Sequence, residues 1–309
     1  KAHMWYTQNK INYYGGSKPG VYTRNTLTET KNATYGLDVQ KDISLSEKSL
    51  LTVGANAKKE KYEPQIIKGD SAKSSDKKER NQFAVFAQLD QKFTDKDNLI
   101  IGGRGTWTSG STNGEEYDDF SASAQYVHKF NEDKSVYISV GQSFIMPSFS
   151  QMYPSGVAAG APNPNLKPQK GTNYELGYKE IAGNHLWKVA LFKMNVKDNI
   201  TASWKNEVWN YKNTDFKNVG LEASLAVDAS DKFSYDIGLT VHNPKNKIEN
   251  EPSKKGWQRK FGKYQVKSGV EYKLDKFRAG FSGSYVWDRY SSPSSKESYK
   301  IKPYFLTTF

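Results

Sequence analysis

The residues able to do chemistry in this chain are few and scattered. Its 309 residues include four histidines and no cysteine. Without thiols there is no disulfide frame, no Cys-based zinc site and no thiol catalysis. His3, His128, His185 and His242 are isolated and carry no ligand spacing, so each reads as a wall or interfacial histidine. Glu115, Glu116, Asp118 and Asp119 offer oxygens to Ca²⁺ but lack the spacing of a dedicated calcium loop. A hydrolase would need a Ser–His or Asp–His pair on facing strands, and there is no Gly-x-Ser-x-Gly element to support one. The chain is therefore expected to be no enzyme, with no metal and no resident cofactor. What remains is recognition by charge and by flat rings. The net charge is +12, with 20 Tyr, 15 Phe and 7 Trp. The positive charge is mostly Lys spread along the chain, with Arg at a few positions such as Arg24, Arg104 and Arg278. Nucleic-acid binding concentrates Arg and aromatics on one face, so no nucleic-acid partner is expected. A basic loop surface suits an anionic ligand or lipopolysaccharide phosphates.

The elements that must position these residues are strands. Phe83, Val85, Ala87 and Leu89 alternate with Gln82, Gln88 and Asp90; Phe120, Ala122, Ala124 and Tyr126 alternate with Ser121, Ser123 and Gln125. The same period holds in Phe233–Val241, Tyr264–Tyr272 and Phe277–Trp287. Each stripe is about 10 residues long, which at about 3.3 Å per residue and a tilt near 45° spans about 25 Å of membrane. Lys263, Lys267, Glu271 and Lys273 share the opposite face, which must be wet. The joints alternate too. Short turns are predicted near Ser44–Lys48, Thr94–Asp97, Asn131–Lys134, Ala182–Asn184, Asp228–Asp231 and Leu274–Lys276. Long loops are predicted near Tyr62–Arg80, Thr108–Tyr117, Ile145–Gly171, Lys205–Asn213, Asn243–Gly262 and Asp288–Lys302. Short periplasmic turns and long extracellular loops are the pattern of an outer-membrane barrel. The fold class is therefore all-β, an antiparallel transmembrane β-barrel with about 14 strands, one partial barrel domain over residues 1–309. His185–Trp204 is a long strand of ambiguous phase, where a bulge is predicted. Lys68–Arg80 reads as low in complexity. Both ends fall within strand-like runs, which suggests a piece of a longer polypeptide.

Residues 137–179 add specificity. A strand leads into Phe144-Ile145-Met146-Pro147-Ser148-Phe149, and Asn163-Pro164-Asn165-Leu166-Lys167-Pro168 then leads into Tyr174-Glu175-Leu176-Gly177-Tyr178. The prolines hold a long connection outside the sheet, and Glu175 and Glu222 lie opposite the apolar stripes, facing the interior. This region resembles the signature of TonB-dependent outer-membrane receptors, carried here by Phe144, Pro147, Asn163, Pro164, Asn165, Leu166 and Glu175. The resemblance implies a barrel of 22 strands around an N-terminal plug, placed in the outer membrane of a Gram-negative bacterium. It implies uptake of a scarce iron complex, cobalamin or sometimes a glycan, with outer-membrane lipid as surroundings and TonB reached through a plug that this chain lacks.

Haem receptors of that family carry a His between the two signature elements. Ser148–Pro162 has none, leaving Met146, Met152 and Tyr153 as soft or phenolate groups. A ferric siderophore is the expected substrate; a haem receptor or a passive porin-like channel is the alternative. Arg104, Trp107, Tyr153, Trp204, Trp209 and Tyr211 are the expected ligand contacts, placed at or near the extracellular strand ends, where cations and rings would meet an anionic complex.

Overall fold

The computed structural model describes residues 1–15, 26–68, 71–74, 77–110, 117–155, 160–205, 208–248, 256–291 and 299–309. The first part of the chain forms β1 (Ala2–Gly15), β2 (Thr26–Ser46), β3 (Ser49–Lys68), β4 (Ser71–Ser74), β5 (Lys78–Lys92), β6 (Asp97–Ser109), β7 (Asp119–Lys129) and β8 (Lys134–Ile145). A single helical turn, α1 (Phe149–Met152), follows. The rest comprises β9 (Gln169–Ala182), β10 (His185–Lys205), β11 (Val208–Ser230), β12 (Phe233–His242), β13 (Lys245–Ile248), β14 (Gly256–Arg259), β15 (Phe261–Leu274), β16 (Phe277–Ser291), β17 (Tyr299–Ile301) and β18 (Tyr304–Thr308).

All pairings are antiparallel, and the strands form one meander. β4, β13, β14 and β17 each continue a neighbour's position past a local break, so the strands occupy fourteen sheet positions. Among the described residues β1 pairs only with β2 and β18 only with β16, so the sheet is open.

Register explains why the alternation matters. Leu99, Tyr126, Ile138, Leu176, Leu191, Leu221 and Val241 lie opposite one another, strand by strand, in one continuous row. Ile138, Leu176 and Leu191 are about half exposed, which is what a lipid-facing belt requires and what a water-facing one would avoid. The next row on the other face runs Gln125, Ser139, Glu175 and Phe192. A one-residue slip would exchange the two faces, so the belt fixes the register.

One end of the sheet has tight turns and the other has long connections. The turn at Gly183–Asn184 needs a positive φ, and Gly183 supplies it at +59°. At the other end the strands outrun the expected boundaries. The sequence predicts a loop over Lys205–Asn213, yet β10 and β11 continue pairing up to Lys205 opposite Val208. Likewise β3 runs past Tyr62 to Lys68. Polarity marks a strand's exit from lipid, not its end, because both faces of the hairpin are wet above the membrane. The bulge expected in β10 falls between Val196 and Asn199, with Asp198 at φ 54°.

Candidate ligand-binding mouth

A dry cluster built from side chains of distant elements lies where the connection between β8 and β9 meets the inner wall. Tyr62, Phe149, Met152 and Leu166 form it, with Tyr153, Ile200 and Tyr211 packed against it. Tyr62, Arg80 and Thr30 stand opposite the lipid stripe of their strands, so the connection closes over the inner face. Locally, Ser148 starts α1 with a reciprocal cap: its Oγ accepts from Gln151 N (3.3 Å), and its own N donates to Gln151 Oε1 (2.9 Å). The turn at Pro164–Asn165 then drops Leu166 into the cluster, fully buried.

Two walls hold the connection. On the β2–β3–β5 side, Tyr62 Oη donates to the Tyr153 carbonyl (2.8 Å), and the Thr30 and Ser155 hydroxyls lie 3.0 Å apart. Arg80 is 4% exposed. It donates to Glu60 through Nε (2.8 Å) and Nη2 (2.5 Å), donates to the Pro147 carbonyl through Nη1 (3.0 Å), and sits over the Phe149 ring at 4.9 Å. Lys58 adds a second cation 2.8 Å from Glu60. On the β10–β11 side, Asn163 Nδ2 donates to the Tyr211 carbonyl (3.0 Å), Gly160 N to the Trp209 carbonyl (2.9 Å), and Asn213 bonds both the N and O of Lys167 (2.8 Å each). From β7's approach, Tyr117 Oη donates to the Leu166 carbonyl (3.0 Å).

Glu60 lies beyond the aromatic row of Tyr6 and Tyr35, outside the hydrocarbon. Burial works against its charge, but Arg80 and Lys58 outweigh burial and hold its carboxyl below the usual range. Nearby, hydrogen bonds from Lys77 and Lys59 lower the half-buried Glu79 to about 2.

The signature residues therefore build this connection. Pro147, Asn163 and Leu166 are anchored as described, and Pro164–Asn165 makes the turn. Phe144 lies at the end of β8 with the Lys170 ammonium 5.7 Å above its ring. Glu175 lies lower, on the inner wall, and accepts from Tyr137 Oη. The Tyr137 ring covers Gly177, where a Cβ would lie 2.2 Å from the ring.

Of the expected ligand contacts, the structure brings Tyr153 and Tyr211 together on the cluster. Lys78 Nζ lies 4.9 Å from the Tyr153 ring centroid. Trp209 is half exposed two residues before Tyr211, and Trp204 is its register partner, with a side chain outside the described set. Arg104 stands apart, mid-strand on the inner wall between Phe86 and Ser121 rather than near the mouth. Trp107 faces outward, half exposed and stacked on Phe83 at 6.1 Å. Met152 is 1% exposed beneath Tyr117, which gives it a packing role. Glu115 and Glu116 lie outside the described residues. An Asp–His pair does exist: His128 Nδ1 is 2.7 Å from Asp97, but the Thr94 hydroxyl donates to the same carboxylate instead of to the imidazole. That arrangement activates no nucleophile.

Sequence reasoning missed the anchors Tyr62, Arg80, Glu60, Tyr117 and Asn213. A signal existed for one of them, since an Arg in a chain that otherwise uses Lys marks a place where planar, bidentate pairing is needed.

A family model described as TonB dependent receptor-like, beta-barrel matches residues 2–309. Among solved structures, the copper transporter OprC superposes with a TM-score of 0.78 at 14% identity, over 99% of this chain and 52% of that one. A mutant of the ferric enterobactin receptor PfeA from Pseudomonas aeruginosa gives 0.69 at 16%, over 99% and 50%. The FrpB iron transporter from Neisseria meningitidis gives 0.70 at 16%, over 91% and 48%. At these identities the likeness is one of fold, and the chain spans about half the length of each. With the family model matched from end to end, the chain belongs to the TonB dependent receptor-like β-barrel family, proteins of the Gram-negative outer membrane.

Proposed function

We propose that this chain is the barrel portion of a TonB-dependent receptor that imports an iron complex, specifically a ferric siderophore. The observation that supports this reading most is the docked β8–β9 connection. It places Tyr153 under Lys78 of β5 and on the cluster that Tyr211 of β11 also touches, at the long-loop end of a basic protein, with Trp209 two residues before Tyr211. Flat rings stack on the planar groups of a metal chelate, and cations attract its negative charge. Arg104, further down the inner wall, would meet the ligand later in its passage, and Trp204 completes the proposed set. The iron arrives as substrate, and the protein itself carries no cofactor and catalyses no reaction. TonB would act through a plug outside this chain.

The test is growth of an iron-starved strain, with and without the receptor gene, on a panel of ferric siderophores and on haem as sole iron source. Rescue by a siderophore that depends on both the gene and TonB is expected. Rescue by haem alone would support the haem reading, and TonB-independent ion conduction in planar bilayers would support a porin.

A further inference from the structure

The inner wall carries a line of cations far from the mouth. Register puts Lys179, Lys188, Ser224, Gly238, Lys267 and Ser284 in one continuous row from β9 to β16. Lys179 shares a face of β9 with Glu175, and Lys188 shares a face of β10 with Phe192, so the row looks into the lumen. Because the strands tilt, the row is inclined. About 3.3 Å per residue and a tilt near 45° put Lys267 about 16 Å above Leu274, at the turn end of β15. By the same measure Lys188 and Lys179 stand only about 7 Å above His185 and Ala182. At about 4.8 Å per strand, Lys188 and Lys267 are about 14 Å apart along the row.

All three lysines are exposed, and among the described residues none of them enters an ion pair. Other inner-face lysines differ: Lys58 is held by Glu60 at 2.8 Å and Lys273 by Glu271 at 2.9 Å. Lys179 and Lys188 lie directly opposite each other, a like-charge pairing that is unfavourable unless an anion comes between them. A hollow of about 450 Å³ reaches all three lysines, with Glu175 and Glu222 also on its lining. Glu175 already accepts from Tyr137 Oη, and the three cations outnumber the two carboxylates.

We infer that, given the siderophore reading above, this row is a second station for an anionic ferric siderophore, low in the lumen. The complex is held there after it leaves the mouth and before it enters the periplasm. Charge complementarity and span select this occupant. A small inorganic anion between Lys179 and Lys188 does not reach Lys267, whereas a chelate with negative charge on opposite sides meets all three. The row descends from mid-wall to the turn end, along the direction of transport. An acidic face of the plug is the competing occupant, and it would make the lysines a permanent tie instead of a station.

The experiment uses the intact receptor in cells that have no other route for the probe, a ferric tris-catecholate carrying radioactive iron. Surface binding and TonB-dependent uptake are measured separately. The double variant Lys188→Gln, Lys267→Gln should keep surface binding, which also reports that it folds. Its maximal uptake should fall about 25-fold, a factor of about five for each cation lost beside an anion in water. Lys188→Arg with Lys267→Arg should restore uptake. Vancomycin, a large polar antibiotic, should stay excluded from cells carrying the glutamine variant. Unchanged uptake by that variant, or loss of its surface binding, would overturn this inference alone. A vancomycin leak would overturn it too, by marking the lysines as ties to the plug. Failure of the wild-type receptor to import the probe would overturn the anionic-siderophore reading itself and this station with it.

Discussion

Arg80 joins three things that the chain separates: Glu60 on β3, the Pro147 carbonyl 67 residues away and the Phe149 ring. Removing it leaves Glu60 partly buried with only Lys58, and leaves a buried carbonyl without its donor. Breaking a buried pair in this way costs about 3 kcal/mol. Arg80→Ala should therefore release the β8–β9 connection, seen as faster hydrogen exchange across residues 145–153, while the barrel stays folded. Arg80→Lys should rescue little, because an ammonium cannot serve Glu60 and Pro147 with the same geometry. The pH dependence follows from Glu60. Its folded-state carboxyl lies below the ordinary 4.5, so the anchor's contribution is complete above about that pH and is lost as pH falls through the lowered value. Protease protection of the connection should drop in that acidic window in the wild type. In Glu60→Gln it should be low throughout and flat with pH.

At the scale of elements, the connection behaves as part of the wall, because both of its arms are bolted. Leu166 is fully buried at the centre, and Leu166→Ala should loosen the connection by about 3 kcal/mol, read as raised exchange at Tyr62, Tyr117 and Tyr211 together. Lower down, Gly177→Ala should push the Tyr137 ring off the wall and break its bond to Glu175, visible as a change in the Tyr137 ring resonances. The strands and turns were legible in sequence because lipid imposes an unbroken period of two between tight turns, as Phe83 to Leu89 and the Gly183–Asn184 turn show. The signature segment was legible as a motif, and so was its place in a long connection at the end of the sheet opposite the tight turns. Its anchoring was not, because Arg80–Pro147 and Tyr62–Tyr153 are contacts between remote segments that no local pattern records. The hairpin ends beyond the membrane were misjudged for a related reason, since Trp204 and Trp209 pair where the lipid signal has stopped. Residue type and an expected place near the strand ends group Trp107 and Arg104 with the mouth residues, but register separates them, one to each face of β6.

For the whole molecule, two faces with opposite solvents explain why the largest apolar side chains are exposed while the buried cluster is small. Ile138 lies in the belt row and is 57% exposed. Ile138→Arg should destabilise the barrel by about 2–4 kcal/mol, measured by urea unfolding in bilayers, whereas Ser123→Arg on the polar inner face should change stability little. The central claim concerns transport, and it is tested most directly by following radioactive iron. Cells in which this receptor is the sole route for a ferric siderophore are given the labelled complex with TonB functional or deleted. Accumulation inside the cell should require TonB, with surface binding alone in its absence, and a Tyr211→Ala receptor should lose that surface binding in both. Equal accumulation with and without TonB would contradict the account.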